Sequence, residues 1–213
     1  MNTHFRMRVV FVFSAISMAS ISHGVLLNGD FTEVGAHGSP YTSVGPSPGF
    51  DDESAAAHWF QFVPTPGGVL TSEIVAGFGP GGSNALHITT NTGSYDPASY
   101  GSGVMQAFGW QDTAIFSCDL FVASGIVYGG LVSAGGQYFD QTAHGATGQW
   151  IHIVQNVDSP TMTVSFENLE HQLSNADFYI SNATMSSVPE PFTLTLGVAA
   201  IGLYVRRRVA RRA

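Results

Sequence analysis

The sequence predicts an all-β fold, in which two antiparallel sheets of about ten short strands pack into a single sandwich. Between residues 24 and 187, short runs of β-branched and aromatic residues are separated by clusters of Gly, Pro, Asn and Asp. No long stretch repeats its apolar residues with the 3.6-residue period of a helix. This segment of roughly 164 residues is long enough for one domain with a sizeable core.

The strands are predicted from these apolar runs, taken in chain order. They cover Val25–Leu27, Trp59–Val63, Val69–Ala76, Ala85–Thr89, Gly103–Phe108, Thr113–Ala123, Val127–Ser133, Trp150–Asn156, Met162–Glu167 and Phe178–Met185. Side chains alternate between the two faces of a strand, so polar and apolar alternation predicts which face is buried. The predicted inward set is Ile151, Ile153, Met162, Val164, Phe166, Phe178, Ile180 and Asn182, whereas His152, Tyr179 and Ser181 point outward.

Three long segments are predicted as loops, at 32–57, 91–102 and 135–148. Loops of this length are often functional. Aromatic rings beside carboxylates are the groups that a sugar site uses, because rings stack on apolar sugar faces and carboxylates bind hydroxyls. The predicted carbohydrate-binding residues are therefore Tyr95, Asp96, Tyr100, Tyr138, Phe139 and Asp140. The alternative is that these rings fold back over the sandwich as a minor core.

Charge is distributed unevenly along the chain. All seven basic residues are Arg and lie in the first 8 or last 8 residues, so the segment 24–187 has no Lys or Arg, whereas it holds fourteen of the fifteen acidic residues. Such a surface lacks the cations that bind phosphate, which excludes nucleic acid as a partner. It attracts cations such as Ca²⁺, although acidity is also a common property of soluble surfaces.

Motifs for catalysis are missing from the sequence. Gly77–Gly82 has the spacing G-x-G-x-x-G, but a strand follows it instead of a helix, which predicts a hairpin loop. The His residues have no close metal-binding spacing, and no Ser lies in G-x-S-x-G. Cys118, the single cysteine, lies in an apolar run and is predicted to be buried. The sequence thus favours a non-enzyme, with a glycosidase-type carboxylate pair as the alternative.

Two motifs resemble galactose-binding-like jelly rolls. Leu26-Leu-Asn-Gly-Asp-Phe31 is similar to their opening turn, and Ala176-Asp-Phe-Tyr-Ile-Ser-Asn-Ala-Thr-Met185 is similar to their closing strand. The resemblance implies that the sandwich is a jelly roll. It also implies a structural Ca²⁺ that ties the first and last strands together, with Asp30 or Glu33 and Asp177 as its oxygen ligands. The alternative is that Asp30 caps a turn and Asp177 is solvated.

Residues 1–23 have the three parts of a secretory signal peptide. Arg6 and Arg8 precede the apolar run from Val9 to Ile21, and the small residues Ser20 and Ser22 lie before the expected cleavage site. Cleavage after Ser22 or after Gly24 fits equally well. A helix that stays in the membrane as a signal anchor is the alternative. The sequence therefore predicts export through the Sec machinery.

The C-terminal segment 188–213 has three ordered parts. Pro189 and Pro191 interrupt regular structure, residues 192–205 form an uncharged stretch, and an arginine cluster follows. As a helix, 14 residues span roughly 21 Å, which is short for a bilayer core of about 30 Å. The arginines are expected to remain in the cytoplasm. The segment is therefore either an ordinary tail anchor or a sorting signal.

The order of these parts resembles the PEP-CTERM sorting domain of Gram-negative bacteria. The resemblance implies recognition and processing by an exosortase, with transient residence in the inner membrane followed by release to the cell surface or an exopolysaccharide matrix. The sorting residues carried over are Val188, Pro189, Glu190, Pro191, Arg206, Arg207 and Arg208. Together the observations favour a non-catalytic structural protein of the surface or matrix, then a carbohydrate-binding module, then a glycan-active enzyme.

Overall fold

A computed structural model of the chain describes residues 26–46, 52–64, 66–91, 101–110, 114–133, 138–157, 161–168 and 175–187. This part of the chain contains eleven β-strands and one 3-10 turn, Pro80–Gly82, and it contains no α-helix. The strands are β1 Tyr41–Val44, β2 Phe60–Phe62, β3 Val69–Val75, β4 Ala85–Asn91, β5 Gly103–Trp110, β6 Ala114–Ser124, β7 Val127–Ser133, β8 Tyr138–His144, β9 Ile151–Val157, β10 Thr161–Asn168 and β11 Ala176–Ser187.

The strands form two sheets. One has six strands in the order β1-β3-β4-β11-β6-β9, and the other has five in the order β2-β5-β10-β7-β8. All pairings given for these strands are antiparallel, which confirms the all-β, jelly-roll-like sandwich. The predicted signal helix and C-terminal helix lie outside the described residues. Within the described ranges, no helix is long and apolar enough to cross a membrane.

The core lies between the two sheets. Trp59 is fully buried there, and its ring centroid is 5.4 Å from that of Phe31 and 6.5 Å from that of Phe166. Its indole N–H donates to the carbonyl of Asn28 at 3.3 Å, so this side chain ties the opening turn to the core. The other large, fully buried apolar side chains are Leu70, Leu86, Ile88, Leu120, Phe178, Ile180 and Val63.

Three strand predictions were wrong. Residues 41–44 and 138–144 were predicted as loop, but they form β1 and β8, the edge strands that pair with β3 and β7. An edge strand has only one neighbour and can carry polar residues, as Tyr-Thr-Ser-Val in β1 and Tyr-Phe-Asp-Gln-Thr-Ala-His in β8 do, so neither sequence shows a buried-strand pattern. In the predicted first strand, Leu26 and Leu27 are not in a strand. The backbone N–H and carbonyl of Leu27 bind the side chain of Gln106 instead, at 2.6 and 2.8 Å.

The predicted alternation is confirmed at most described positions. Ile153, Val164, Phe166, Phe178 and Ile180 are buried, and His152 is exposed. Asn182 was predicted to face inward, which was wrong because the register of β11 against β6 shifts between Ser181 and Thr184. This irregularity gives Asn182 a φ of 50° and directs its amide to Asp119, so Ala183 occupies the core position instead.

Two further predictions from the sequence are confirmed. Cys118 is fully buried, and its burial raises the pKa of the thiol far above the usual range, so it packs as a small apolar side chain. The glycine-rich segment Gly77–Gly82 connects β3 to β4, which pair with each other as a hairpin. It is therefore a turn and not the start of a nucleotide-binding helix.

Glu53 fixes the loop that precedes β2. Its carboxylate accepts the backbone N–H of Ala36 at 2.7 Å and that of His58 at 2.8 Å. Partial burial raises the pKa of Glu53, but these two hydrogen bonds and the nearby His58 and His37 together outweigh it, and the pKa is lowered overall. A lowered pKa in the folded state stabilises the protein at pH values above the unfolded pKa, and this contribution is lost as the pH falls through the folded pKa.

Glu53→Gln is expected to lower the free energy of unfolding by about 1 kcal/mol at pH 7, because one N–H then faces an amide NH₂ group. The difference from wild type should shrink as the pH falls below 4.5, where wild-type Glu53 also becomes protonated. Urea unfolding at several pH values measures this difference in the free energy of unfolding. The control Glu33→Gln should change little, since that side chain is 68% exposed. A loss that is independent of pH would contradict this account.

Candidate carbohydrate-binding face

The outer face of the six-stranded sheet carries a row of large side chains on neighbouring strands. In the strand register, Glu73 of β3 pairs with His87 of β4, His87 with Tyr179 of β11, and Tyr179 with Phe121 of β6. Trp150 continues the row, because it precedes Ile151, the partner of Leu120. Paired residues on one face of a sheet have adjacent side chains. Alternation therefore assembles this surface while Phe178 and Ile180 face the core.

The turn between β3 and β4 adds Phe78 to this row. The turn folds over the outer face, where the Ser83 hydroxyl lies 2.9 Å from that of Ser181 in β11. A Cβ at Gly79 would come within 2.4 Å of both hydroxyl oxygens, so only glycine permits the approach. Gly77, with a φ of 70°, starts the turn in the left-handed region. The glycine-rich sequence thus holds Phe78 against the sheet.

The rings form one contiguous cluster, called the aromatic patch, made of Phe78, His87, Phe121, Trp150 and Tyr179. Phe78 is at its centre, with its ring centroid 4.4 Å from Tyr179, 5.7 Å from Trp150 and 5.9 Å from Phe121. Phe121 in turn lies 5.7 Å from Trp150. Phe78 is 40% exposed and the other four are partly exposed. The patch therefore offers apolar ring surface to solvent.

His87 connects the rings to two carboxylates. Its imidazole is stacked on Tyr179, with 4.1 Å between centroids and 4° between planes. One ring nitrogen, Nε2, lies 2.9 Å from Asp177 and the other, Nδ1, lies 4.0 Å from Glu73. Burial first, and then the charges of Asp177 and Glu73, raise the pKa of Tyr179. The Tyr179 hydroxyl is therefore neutral at physiological pH and can donate or accept a hydrogen bond.

A polar depression lies beside the patch, one step further along the same strands. The register aligns Thr71, Thr89, Asp177 and Ser124 across β3, β4, β11 and β6. The depression has a volume of about 310 Å³, at the lower end of the roughly 300–1,000 Å³ of small-molecule sites. Its lining combines hydroxyl, carboxylate and amide groups with comparable apolar surface. The full lining is Val69, Thr71, Thr89, Thr90, Asn91, Ser124, Asn175, Ala176 and Asp177.

On the other side of the patch, Asp119 is held by two partners. One carboxylate oxygen lies 2.8 Å from Nδ1 of His152, and the other accepts the amide of Asn182 at 2.7 Å. Asp119 is only 8% exposed, so its charge is buried with both oxygens bound. This trio ties the bulged part of β11 to β6 and β9.

Three of the six sequence-predicted ligand residues belong to the other sheet, and the other three are not described. Tyr138, Phe139 and Asp140 were predicted in a loop, but they lie in the edge strand β8 of the other sheet. Tyr95, Asp96 and Tyr100 lie outside the described residues, as do the sorting residues from Val188 to Pro191 and Arg206 to Arg208. The face itself was missed, although the outward Tyr179 of the predicted alternation belongs to it.

The three candidate calcium ligands are not brought together. The carbonyl of Gly29, next to Asp30, accepts the N–H of Ala183 in β11, six residues beyond Asp177. Six residues of a strand span roughly 20 Å, so one ion cannot bind both ends. Asp30 accepts the Thr32 hydroxyl and Glu33 lies 3.8 Å from His58. Within the described ranges, no three His, Cys, Asp or Glu side chains are grouped to hold a metal.

Comparisons with known proteins find similarity of fold. No protein-family model matches the sequence, and no curated protein is significantly similar to it. Among solved structures, a candidate sugar-binding protein of Bacteroides thetaiotaomicron is 12% identical with a TM-score of 0.49, covering 78% of this chain and 100% of its own. A family 4 carbohydrate-binding module is 14% identical with a TM-score of 0.42, over 62% and 95%.

A third similar structure is an exo-β-agarase, at 9% identity and a TM-score of 0.48, where the match covers 66% of this chain. This chain corresponds to only 24% of the length of the agarase chain. All these TM-scores are below 0.5, so the similarity carries no functional argument.

Proposed function

We propose that the sandwich binds carbohydrate through the outer face of its six-stranded sheet. The observation that carries the proposal is that the aromatic patch and the polar depression are adjacent on this face. Asp177 lines the polar depression and lies 2.9 Å from His87 of the aromatic patch, and it is two residues from Tyr179 on the same face of β11, a distance of roughly 7 Å. A polysaccharide chain that crosses the sheet would meet both surfaces at once.

The chemistry of the two surfaces matches the two sides of a sugar. A pyranose presents C–H groups on one face, and these pack on aromatic rings, which contribute large apolar area at low entropic cost. Its edges present hydroxyls, which need hydrogen-bonding partners when they lose water. Phe78 and Trp150 supply ring surface, and Thr71, Thr89 and Asp177 supply hydrogen-bonding groups.

The proposed activity is binding without catalysis. The surface is an open face of a sheet, and no lid or cleft among the described residues encloses it from water. The carboxylates nearest the rings, Asp177 and Glu73, both lie against His87. A structural role for the patch, as a minor core that holds the β3–β4 turn on the sheet, is the second candidate, because Phe78 packs against three other rings.

Binding of the full-length protein to a panel of insoluble and soluble polysaccharides tests the proposal. Phe78→Ala should weaken binding to any ligand found by at least about tenfold, because it removes the centre of the patch. The matched control is Phe62→Ala on the other sheet, which removes an equal ring from the five-stranded sheet and should leave binding unchanged. Failure of every polysaccharide to bind would favour the purely structural role.

We further propose that this binding domain is exported and retained in an exopolysaccharide matrix. The support is the sequence: an N-terminal segment of the signal-peptide type and the Val188-Pro-Glu-Pro191 tail followed by arginines. The proposed partners are the Sec machinery, an exosortase, the inner membrane before processing, and an exopolysaccharide. In this proposal, glycan binding by the sheet holds the released domain in the matrix.

The mature protein is expected to lack the residues beyond about Pro191. The physical reason is that a 14-residue apolar stretch is short for permanent residence in a bilayer, so the tail acts as a removable sorting signal. Intact-mass measurement of protein recovered from the cell surface should give a mass without the arginine cluster. Surface protein that retains Arg206–Arg208 would show that the tail is a permanent anchor instead.

A further inference from the structure

The charges around the proposed site are all negative. Asp177 lies between the aromatic patch and the polar depression, and Glu73 ends the row of paired residues on β3. Asp119 lies one step away on the other side of the patch, where it pairs in register with His152. A charged ligand on this face would therefore experience the electric field of these three carboxylates.

No Lys or Arg side chain compensates these carboxylates in the described part of the chain. Residues 24–187 contain no Lys or Arg, so the described surface has neither. The two His near the face are already bound to carboxylates, His87 to Asp177 at 2.9 Å and His152 to Asp119 at 2.8 Å. Proteins bind carboxylate and sulfate groups with Arg or Lys side chains or with helix N-termini. The described part of this chain has no α-helix, so that device is missing as well.

Resting on the proposed glycan-binding function, we propose that this site selects uncharged polysaccharides and rejects polyanionic ones such as polyuronates and sulfated glycans. Each anionic sugar brought to the face meets local carboxylates in addition to the field of an acidic domain. Sugar hydroxyls meet no such penalty. The Asp177 carboxylate can accept hydrogen bonds from them, and the hydroxyls of the depression can either accept or donate. The acidic surface thus determines which polymers the protein can bind.

Matched polymer pairs with the same backbone test the inference. The probes are hydroxyethyl cellulose and carboxymethyl cellulose, dextran and dextran sulfate, and methyl-esterified pectin and polygalacturonate. For every pair in which either member binds the full-length protein, the neutral member should bind at least about tenfold more tightly at about 10 mM salt. The difference should shrink at about 1 M salt, where charges are screened within about 3 Å.

Two variants show whether the preference for neutral polymers comes from the carboxylates at the proposed site. Asp177→Asn should reduce the ratio of neutral to anionic affinity at least about threefold, because it removes the carboxylate nearest the ligand. Asp30→Asn removes the same charge at an exposed position near the opposite end of β11 and should leave the ratio unchanged. An anionic polymer that binds as tightly as its neutral partner at low salt would overturn the inference. Failure of all six polymers would instead reject glycan binding itself, and the inference with it.

Discussion

Replacing Trp150 with alanine is expected to weaken polysaccharide binding about 30-fold while the fold remains intact. The indole ends the row across the sheet, is partly exposed, and contacts Phe78 and Phe121 at 5.7 Å between centroids. Tryptophan is among the residue types that contribute most at binding surfaces, commonly about 2 kcal/mol or more, which corresponds to a factor of about 30 in affinity. Affinity measured by calorimetry with the best polysaccharide ligand would check this.

The control for Trp150→Ala is Trp150→Phe, which keeps an aromatic ring and should retain most of the affinity. Thermal unfolding of both variants should stay close to wild type, since Trp150 lies outside the core between the sheets. Unchanged affinity in Trp150→Ala would place the ligand elsewhere on the protein. A large loss of thermal stability would instead assign the indole to the minor core of the second candidate function.

Trp59→Ala is expected to have the largest effect on stability, a loss of about 3–5 kcal/mol. The indole is fully buried, packs against Phe31 and Phe166, and donates to the carbonyl of Asn28. Its removal leaves a cavity and takes away one of the two donors to the Asn28 carbonyl, which keeps only the backbone N–H of Phe31. Domains of this size lose about 2–4 °C in Tm per kcal/mol, so Tm should fall by roughly 10 °C.

The stability prediction has its own control. Leu27→Ala removes apolar atoms from a side chain that is 45% exposed, and its Tm should stay within a few degrees of wild type. Calorimetric or circular-dichroism melting of the full-length variants gives both values. A Trp59→Ala variant that melts within about 2 °C of wild type would contradict the packing described for the core.

The buried half of the fold could be predicted from alternation, because burial imposes a strict two-residue period on strands with a partner on each side. Phe178 and Ile180 faced inward as expected, and Tyr179 faced outward. The edge strands β1 and β8 could not be predicted in the same way, since one neighbour and a solvated edge impose little pattern. The bulge at Asn182 was also missed, because one extra residue reverses the alternation after it.

The candidate site could be predicted only in part. The predicted site lay on ring-bearing loops, whereas the patch combines outward residues of three strands, His87, Phe121 and Tyr179, with Phe78 from a turn and Trp150 just before β9. These residues are far apart in sequence and become neighbours only through the order β3-β4-β11-β6-β9. Strand order depends on long-range packing, so spacing along the chain did not reveal it. Outward aromatics on predicted strands were the available signal.

Trp150 also provides the most direct test of the proposed binding face. Of the three Trp in the chain, Trp59 is fully buried and Trp110 lies in β5 of the other sheet, so ligand on the patch should change the environment of Trp150. Covering a solvated indole shifts its fluorescence to shorter wavelength, because water no longer relaxes around it. Titrating the full-length protein with a neutral polysaccharide that it retains should give a saturable blue shift, and Trp150→Phe should abolish it. Retention of the polysaccharide with the same emission change in wild type and Trp150→Phe would contradict binding at this face.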